Sequence, residues 1–356
     1  MRILPTNSGT IIISDNLKSD LTELLRPYNN DKIFVLADEN SFRCCFPEIE
    51  SINEICPEKT IVIKSGENHK TIETLTQIWH FLTEKKADRH SLLINLGGGV
   101  VCDIGGFAAA TFKRGMSFIN IPTTLLAQVD ASTGGKTGIN FLGYKNEIGV
   151  FKQAEAVIIN CNLLKNLNNE NMLSGFAEII KHAILKDEKT FNKVIDFDLI
   201  NIDYNILNEL VAESILIKDF FVSADPYEKN IRKALNFGHT VGHAFETFAF
   251  IKQKPLLHGF AVAYGMAAEL YLSHFLCGFC IEKVHILDDY VKSNYGKFNF
   301  SVSDFEQIFE ILLHDKKNRN EQISFSLLKH FGDVIIDVYC EKTDIMKIFN
   351  RKICIN

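Results

Sequence analysis

The sequence predicts an α/β protein in two domains, a parallel sheet covered by helices followed by a mainly α-helical half. Three observations carry this reading. Up to about residue 165, short β-branched runs alternate with helical stretches, the pattern of strands joined by helical crossovers. Beyond that point apolar residues recur with the period of a helix. Within the first half, one strand runs into the glycines at 97–99 and then into an apolar helix.

In order, strands are expected at Thr10 to Ser14, Lys32 to Ala37, Thr60 to Lys64, Ser91 to Leu96, Ser117 to Ile121 and Ala156 to Asn160. Each is a short run bounded by turn residues and rich in Ile, Val and Leu, as a strand buried on both faces should be. Helices are expected near 170–187, 206–224, 240–250, 259–277, 282–293 and 303–314. The Asn-rich stretch Asn166 to Asn171 reads as the joint, which gives domains of 1–168 and 169–356.

With 356 residues and 46% hydrophobic content the chain has ample core for both. A formal net charge of -6 with no long block of Lys or Arg argues against a nucleic-acid partner. The N-terminus has no apolar signal segment, and the most apolar stretch, Phe260 to Phe279, is interrupted by Glu269 and His274, so no membrane partner is expected and a cytoplasmic location is. Nine scattered cysteines suit a reducing compartment. Cys277 and Cys280 have the spacing of a redox or zinc-ribbon pair, but no second pair follows and they end a helix.

The run Leu92 to Leu96 followed by Gly97-Gly98-Gly99 is the strand–glycine–helix order in which backbone N–H groups meet a pyrophosphate. It makes the first half a Rossmann-like nucleotide-binding domain. The spacing departs from Gly-x-Gly-x-x-Gly, with Cys102 where the third glycine belongs, and a tight turn without ligand would use glycine as well. Thr133-Gly134-Gly135-Lys136-Thr137 is no triphosphatase loop, because Asp130 stands where its first glycine would be. Its glycines with Lys136, and Lys145-Asn146 beyond, suit an anion cradle, although solvated surface lysines give the same pattern.

In the second half His239, His243 and Glu246 stand at i, i+4 and i+7 on one helix face. Imidazoles with a carboxylate form the ligand set of a divalent transition ion, zinc above all, or an acid–base group. His258 opens a later helix and Glu178 lies on an earlier one; spacing leaves His243 and Glu246 open as ligands beside them. His182, His274 and His285 read as partly buried histidines satisfied by a hydrogen bond. Gly238 and Gly242 flank the His pair. Each glycine costs roughly 1 kcal/mol inside a helix, so something approaches the backbone closely there.

Taken together these blocks resemble the 3-dehydroquinate synthases, from about Ser65 to Lys317. The resemblance rests on Ser65-Gly66-Glu67-Asn68-His69-Lys70, Gly97 to Asp103, Pro122 to Asp130, Gly134 to Asn140, Lys145-Asn146, Glu178 to Lys181, Arg232 to His239, Leu257-His258-Gly259 and Asp315-Lys316-Lys317. It implies a homodimeric enzyme that turns the sugar phosphate 3-deoxy-D-arabino-heptulosonate 7-phosphate into 3-dehydroquinate. NAD oxidises one ring hydroxyl by taking the hydride from its carbon, NADH returns it after phosphate is eliminated, and zinc, or cobalt, assists. By the same resemblance Glu178, His239 and His258 hold the metal, and His243 moves to the acid–base side. Asp38, Glu67, Lys70, Gly98, Gly99, Val100, Asp103, Thr123, Thr124, Asp130 and Lys145 match NAD contacts. Arg114, reaching across the dimer, matches a phosphate contact with Lys136 and Asn146. Lys181 and Lys218 match ring-hydroxyl contacts; Arg232, Asn236 and Lys316 match carboxylate contacts, with Lys317 an alternative to Lys316. The chain departs from the family pattern at Tyr144, Ala154 and Phe260.

Three other readings share these residues: a sugar phosphate cyclase of the deoxy-inosose or valiolone type, an iron-containing alcohol dehydrogenase, and an inactive binding protein on the same scaffold. The Arg232 and Asn236 pair speaks against the first, since a substrate without a carboxylate has no use for it. Glu178, where the alcohol dehydrogenases generally place Asp, speaks against the second.

Overall fold

The computed structural model describes residues 1–7, 9–142, 144–313 and 322–349. Its strands are β1 (Arg2–Ile3), β2 (Ile11–Ile13), β3 (Ile33–Asp38), β4 (Thr60–Ile63), β5 (Leu92–Gly97), β6 (Ser117–Pro122), β7 (Lys136–Phe141), β8 (Tyr144–Phe151), β9 (Ala156–Ile159), β10 (Ile323–His330) and β11 (Asp333–Cys340). Its helices are α1 (Leu17–Leu25), α2 (Glu39–Cys44), α3 (Ile72–Glu84), α4 (Gly99–Thr111), α5 (Asn169–Lys186) and α6 (Glu188–Ile195), followed by α7 (Tyr204–Ala224), α8 (His239–Ile251), α9 (His258–Cys277), α10 (Ile281–Tyr295), α11 (Phe305–Leu313) and α12 (Lys342–Phe349).

Two compact units result. The first is Met1–Asn168 with Ile202–Asp219, the second Asn169–Asn201 with Phe220–Asn356. The expected division at 168/169 is thus corrected in one respect: α7 contributes its residues through Asp219 to the first unit.

In the first unit a seven-stranded sheet runs β1-β2-β9-β6-β5-β3-β4, parallel except for β1 against β2. The six strands expected from sequence are its six parallel members. Successive residues of a strand face opposite sides, and both sides are filled: Ile33, Val35, Leu92, Ile94 and Leu96 enter one core cluster, while Phe34, Leu36 and Leu93 enter the other with α3 and α4. This explains their unbroken apolar runs. After β4 the chain turns back past β3 to β5, so β3 and β5 lie side by side at a topological switch point. The crevice beyond the carboxyl ends of such strands is where this architecture takes ligands. The hairpin β7–β8 stands apart, and β8 is exposed along its whole length.

In the second unit the helices α5, α8 and α9 carry the candidate metal ligands Glu178, His239 and His258. α9 is the described helix whose length and composition would suffice to cross a bilayer, with mean hydropathy 1.2, yet 72% of that window is buried inside the protein; it is a core helix. The glycines singled out in the sequence have a packing cause. A Cβ on Gly242 would lie 2.9 Å from the Ala261 carbonyl oxygen, and one on Gly238 would lie 2.4 Å from Met266 Cγ. The close approach is that of α9. The hairpin β10–β11 was not expected in a mainly helical half.

Candidate active site and metal centre

Each of the three helices delivers one ligand candidate from a defined place. Glu178 lies in the middle of α5, His239 is the first residue of α8, and His258 the first of α9. Gly259 brings α9 against α5: its N–H donates to Ser174 Oγ at 3.0 Å, and an added Cβ would fall 1.9 Å from the Ser174 carbonyl oxygen. Ser174 is one turn before Glu178. Ligand atoms of Glu178, His239 and His258 consequently lie within 4.8 Å of one another.

The arrangement around this cluster points both imidazoles the same way. Nδ1 of His239 lies 3.3 Å from the Phe237 carbonyl oxygen, and Nδ1 of His258 lies 3.3 Å from Glu246 Oε2. Their Nε2 atoms face Glu178 Oε1 at 3.5 and 3.7 Å. Outer acceptors that fix one ring nitrogen and free the other are how proteins orient metal-binding histidines. Glu178 is fully buried, and among the described residues no donor meets either of its oxygens with hydrogen-bond geometry. Lys181 Nζ stands 2.5 Å from Oε2 as an ion pair. A buried carboxylate left without aligned donors is costly, and a divalent ion bound with the two Nε2 atoms would satisfy it. The residues present fit zinc or cobalt.

Charge at the cluster is strongly coupled. Burial works to raise the Glu178 pKa, but the Lys181 ammonium, then His239 and His258, hold it well below the usual carboxylate value. Burial and Lys181 hold His239 well below the ordinary imidazole value against the pull of Glu178. For His258 burial works downward, yet Glu178 and Glu246 push it up to about 9. His243 is exposed, with its ring 5.3 Å from that of His239 and 5.9 Å from that of His258. Of the ligands spacing left open, His243 stays beside the cluster and Glu246 stands behind His258.

Within the first unit Asp38, Gly98 to Val100, and Thr123 with Thr124 stand at the carboxyl ends of β3, β5 and β6. Gly98 precedes the first turn of α4 with no side-chain cap, and Gly98, Gly99 and Val100 are partly open to solvent. The helix start therefore offers backbone N–H groups to an anion. Asp38 ends β3 and caps α2 through Asn40 and Ser41. Thr123 follows β6, its N–H donating to the Gly97 carbonyl at 3.0 Å, with Thr124 next. Lys70 is buried, 2.5 Å from Asp103 Oδ2, and also bonds Asn146. Burial pushes Asp103 up to about 6 against the pull of Lys70. Glu67 accepts from Asn140 Nδ2 at 2.8 Å, and Lys218 Nζ lies 2.7 Å from Asp130 Oδ1. Lys136 opens β7 just after Gly134 and Gly135, both at positive φ; Lys145 and Asn146 lie on β8. Arg114 is exposed at φ +71°.

The carboxylate candidates belong to the second unit. Arg232 is buried, its backbone N–H held by Asp225 and its guanidinium donating to the Pro226 carbonyl at 2.7 Å. Asn236 donates to Glu228 Oε1 at 2.8 Å. Lys316 and Lys317 lie outside the described residues. Of the departures, Phe260 packs its ring 5.1 Å from that of Tyr295, and Tyr144 is exposed at the start of β8. Of the isolated histidines, His274 bonds the Phe279 carbonyl oxygen at 2.8 Å.

The family described as 3-dehydroquinate synthase N-terminal matches residues 60–174, and that described as 3-dehydroquinate synthase C-terminal matches 175–318. A 3-dehydroquinate synthase of Parabacteroides distasonis is 47% identical over 337 residues, covering 95% of this chain and 96% of that one. Among solved structures, a 2-epi-5-epi-valiolone synthase from Streptomyces hygroscopicus with NAD+ and Zn2+ bound superposes with TM-score 0.84 at 21% identity, covering 98% of both chains. A 2-deoxy-scyllo-inosose synthase complexed with carbaglucose-6-phosphate, NAD+ and Co2+ gives 0.82 at 22% identity, again over 98% of each chain. Those two bear on the fold, which they share from end to end. Matched without a break from residue 60 to 318 and close to a relative over nearly its whole length, the chain belongs to the 3-dehydroquinate synthase family.

Proposed function

We propose that this protein is a lyase that converts 3-deoxy-D-arabino-heptulosonate 7-phosphate to 3-dehydroquinate and phosphate in the shikimate pathway of aromatic amino acid biosynthesis, using NAD and zinc. The observation that carries this reading is the convergence of Glu178, His239 and His258 in a chain of this family. When bound, zinc polarises the hydroxyl to be oxidised and NAD accepts and returns the hydride. The chain's own residues supply the rest. Arg232, Asn236 and Lys316 fix the carboxylate end; Lys136, Asn146 and Arg114 fix the phosphate and neutralise it as it leaves. Lys181 and Lys218 hold ring hydroxyls, and the exposed His243 moves protons beside the metal ligands. Asp38, Glu67, Lys70, Asp103, Thr123, Thr124, Asp130 and Lys145 line the cofactor with the amides of Gly98, Gly99 and Val100.

A homodimer in the cytoplasm completes the reading. It is supported by β8, whose outer edge has no strand beside it among the described residues and which exposes Tyr144, Ile148, Val150 and Phe151. Such an apolar edge calls for a partner, and the family resemblance has Arg114 reach across such an interface to its neighbour's phosphate. The buried free thiols Cys45, Cys102, Cys161 and Cys340 suit a reducing compartment.

The decisive experiment supplies the heptulosonate phosphate with trace NAD and follows phosphate release together with the cyclic product by NMR. Phosphate and 3-dehydroquinate should appear in equal amounts over many turnovers of the cofactor. Stoichiometric accumulation of NADH would mean a dehydrogenase, and turnover of glucose 6-phosphate in place of the heptulosonate phosphate would mean a different cyclase.

Zinc uptake should also release a proton. His258 lies at about 9 in the metal-free chain because Glu178 and Glu246 favour its charged form, whereas a ligand must be neutral. At neutral pH zinc therefore displaces about one proton from this ring, and affinity should fall about tenfold per unit as pH drops below 9. Calorimetry in buffers of different ionisation enthalpy reads the proton number directly; zero protons released would contradict the assignment of His258.

A further inference from the structure

We propose that Glu269 is a positioning residue for the metal centre: from the middle of α9 its buried carboxylate caps the helix that begins with His239, and so fixes where that ligand stands. The proposal rests on the reading of Glu178, His239 and His258 as the metal ligands.

The first N–H groups of a helix have no partner within it. The usual remedy is a side-chain oxygen at the capping position, but that position in α8 is Gly238, at φ +80°, with no side chain to offer. Glu269 supplies the oxygens instead. Its Oε2 accepts from the Gly238 N–H at 2.6 Å and its Oε1 from the Val241 N–H at 3.0 Å, and the residue is 0% exposed. The two amides bracket His239. A carboxylate is also the charge that the positive end of a helix favours.

Around Gly238, Gly242 and Gly265 this contact is mostly backbone on backbone, with Met266 Cγ against Gly238. A Cβ on Gly265 would lie 2.0 Å from the Gly238 carbonyl oxygen and 2.7 Å from the Gly242 nitrogen. The first turn of α8 therefore rests largely on backbone of α9, a surface with few side-chain teeth to set its rotation. Two hydrogen bonds to the one buried side chain of Glu269 set it. Because α9 itself begins with His258, Glu269 ties the helix of one ligand to the helix of another. Metal–ligand distances tolerate only about 0.2 Å, so a small slip of this turn would spoil the donor set.

The test is Glu269→Gln, which keeps size but offers one acceptor, and turns an NH2 toward an N–H. Zinc affinity, measured by competition with a chelator, should weaken by about 10–100-fold, and the visible d–d bands of the cobalt-loaded protein should change. A residue that merely glued the helices would lower the melting temperature of the metal-free protein while leaving zinc affinity and the cobalt spectrum as they were; that result would overturn the proposal. Should the variant fail to fold, the wild type still decides. Coupling between cap and metal is reciprocal, so zinc should slow hydrogen exchange at the Gly238 and Val241 amides by about tenfold, the lower end of the affinity loss expected above. Exchange there that ignores zinc would overturn it. Wild-type protein that binds no zinc would instead overturn the ligand assignment beneath it.

Discussion

With His239 and His258 both replaced by alanine, the purified protein should carry no stoichiometric zinc and show no turnover, and neither zinc nor cobalt added back should restore it. Two of the three converging ligands are then gone, and what is left is Glu178 with Lys181 Nζ 2.5 Å away. Glu178, with that ammonium against one oxygen, is too poor a donor set to hold zinc tightly by itself. The wild type should behave in the opposite way, losing activity to a chelator and regaining it with zinc or cobalt. Metal analysis on both proteins checks this, and tightly bound stoichiometric zinc in the double variant would show that the ion sits elsewhere.

Replacing Arg232 by alanine should weaken binding of the natural substrate by about 2–5 kcal/mol, the usual result of stranding one partner of a buried charge pair. Asp225 and the Pro226 carbonyl hold this arginine in place, so its guanidinium is set before substrate arrives and little ordering offsets the loss. A substrate analogue without the carboxylate should feel the change much less. Lys136→Ala should spare that discrimination and impair the phosphate end. Inhibition constants for a phosphonate analogue with and without its carboxylate, against both variants, separate the two. Equal losses for both analogues in Arg232→Ala would show that Arg232 does not read the carboxylate.

Much of this was legible in the sequence because the relevant signals are local. The six parallel strands announced themselves as apolar runs, since both of their faces are buried. Glu178, His239 and His258 were legible as a set through the family's blocks. Spacing alone offered His243 and Glu246 equally, because a helix face shows which residues are neighbours and not what stands opposite. What faces Glu246 is His258, from another helix. The hairpin β7–β8 was hidden by its own glycines: Gly138 and Gly149 cross so closely that a Cβ on either would fall 2.1–2.5 Å from a carbonyl oxygen of the other strand, and glycine carries no strand signal. Glu269 looked like an interruption of an apolar stretch, and only the fold shows the amides it serves.

The split course of the first unit has a consequence for how the chain is made. Its last strip, Ile202–Asp219, is encoded after Asn169–Asn201, which belongs to the other unit. That strip carries Glu209, paired with Arg2 at 2.8 Å, and Lys218, paired with Asp130. Domains made first on the ribosome generally fold first, but here the first unit is completed only when Ile202–Asp219 has emerged, after the opening segment of its successor. A gene cut at the Asn-rich joint would release a sheet that never receives the helix bearing Lys218.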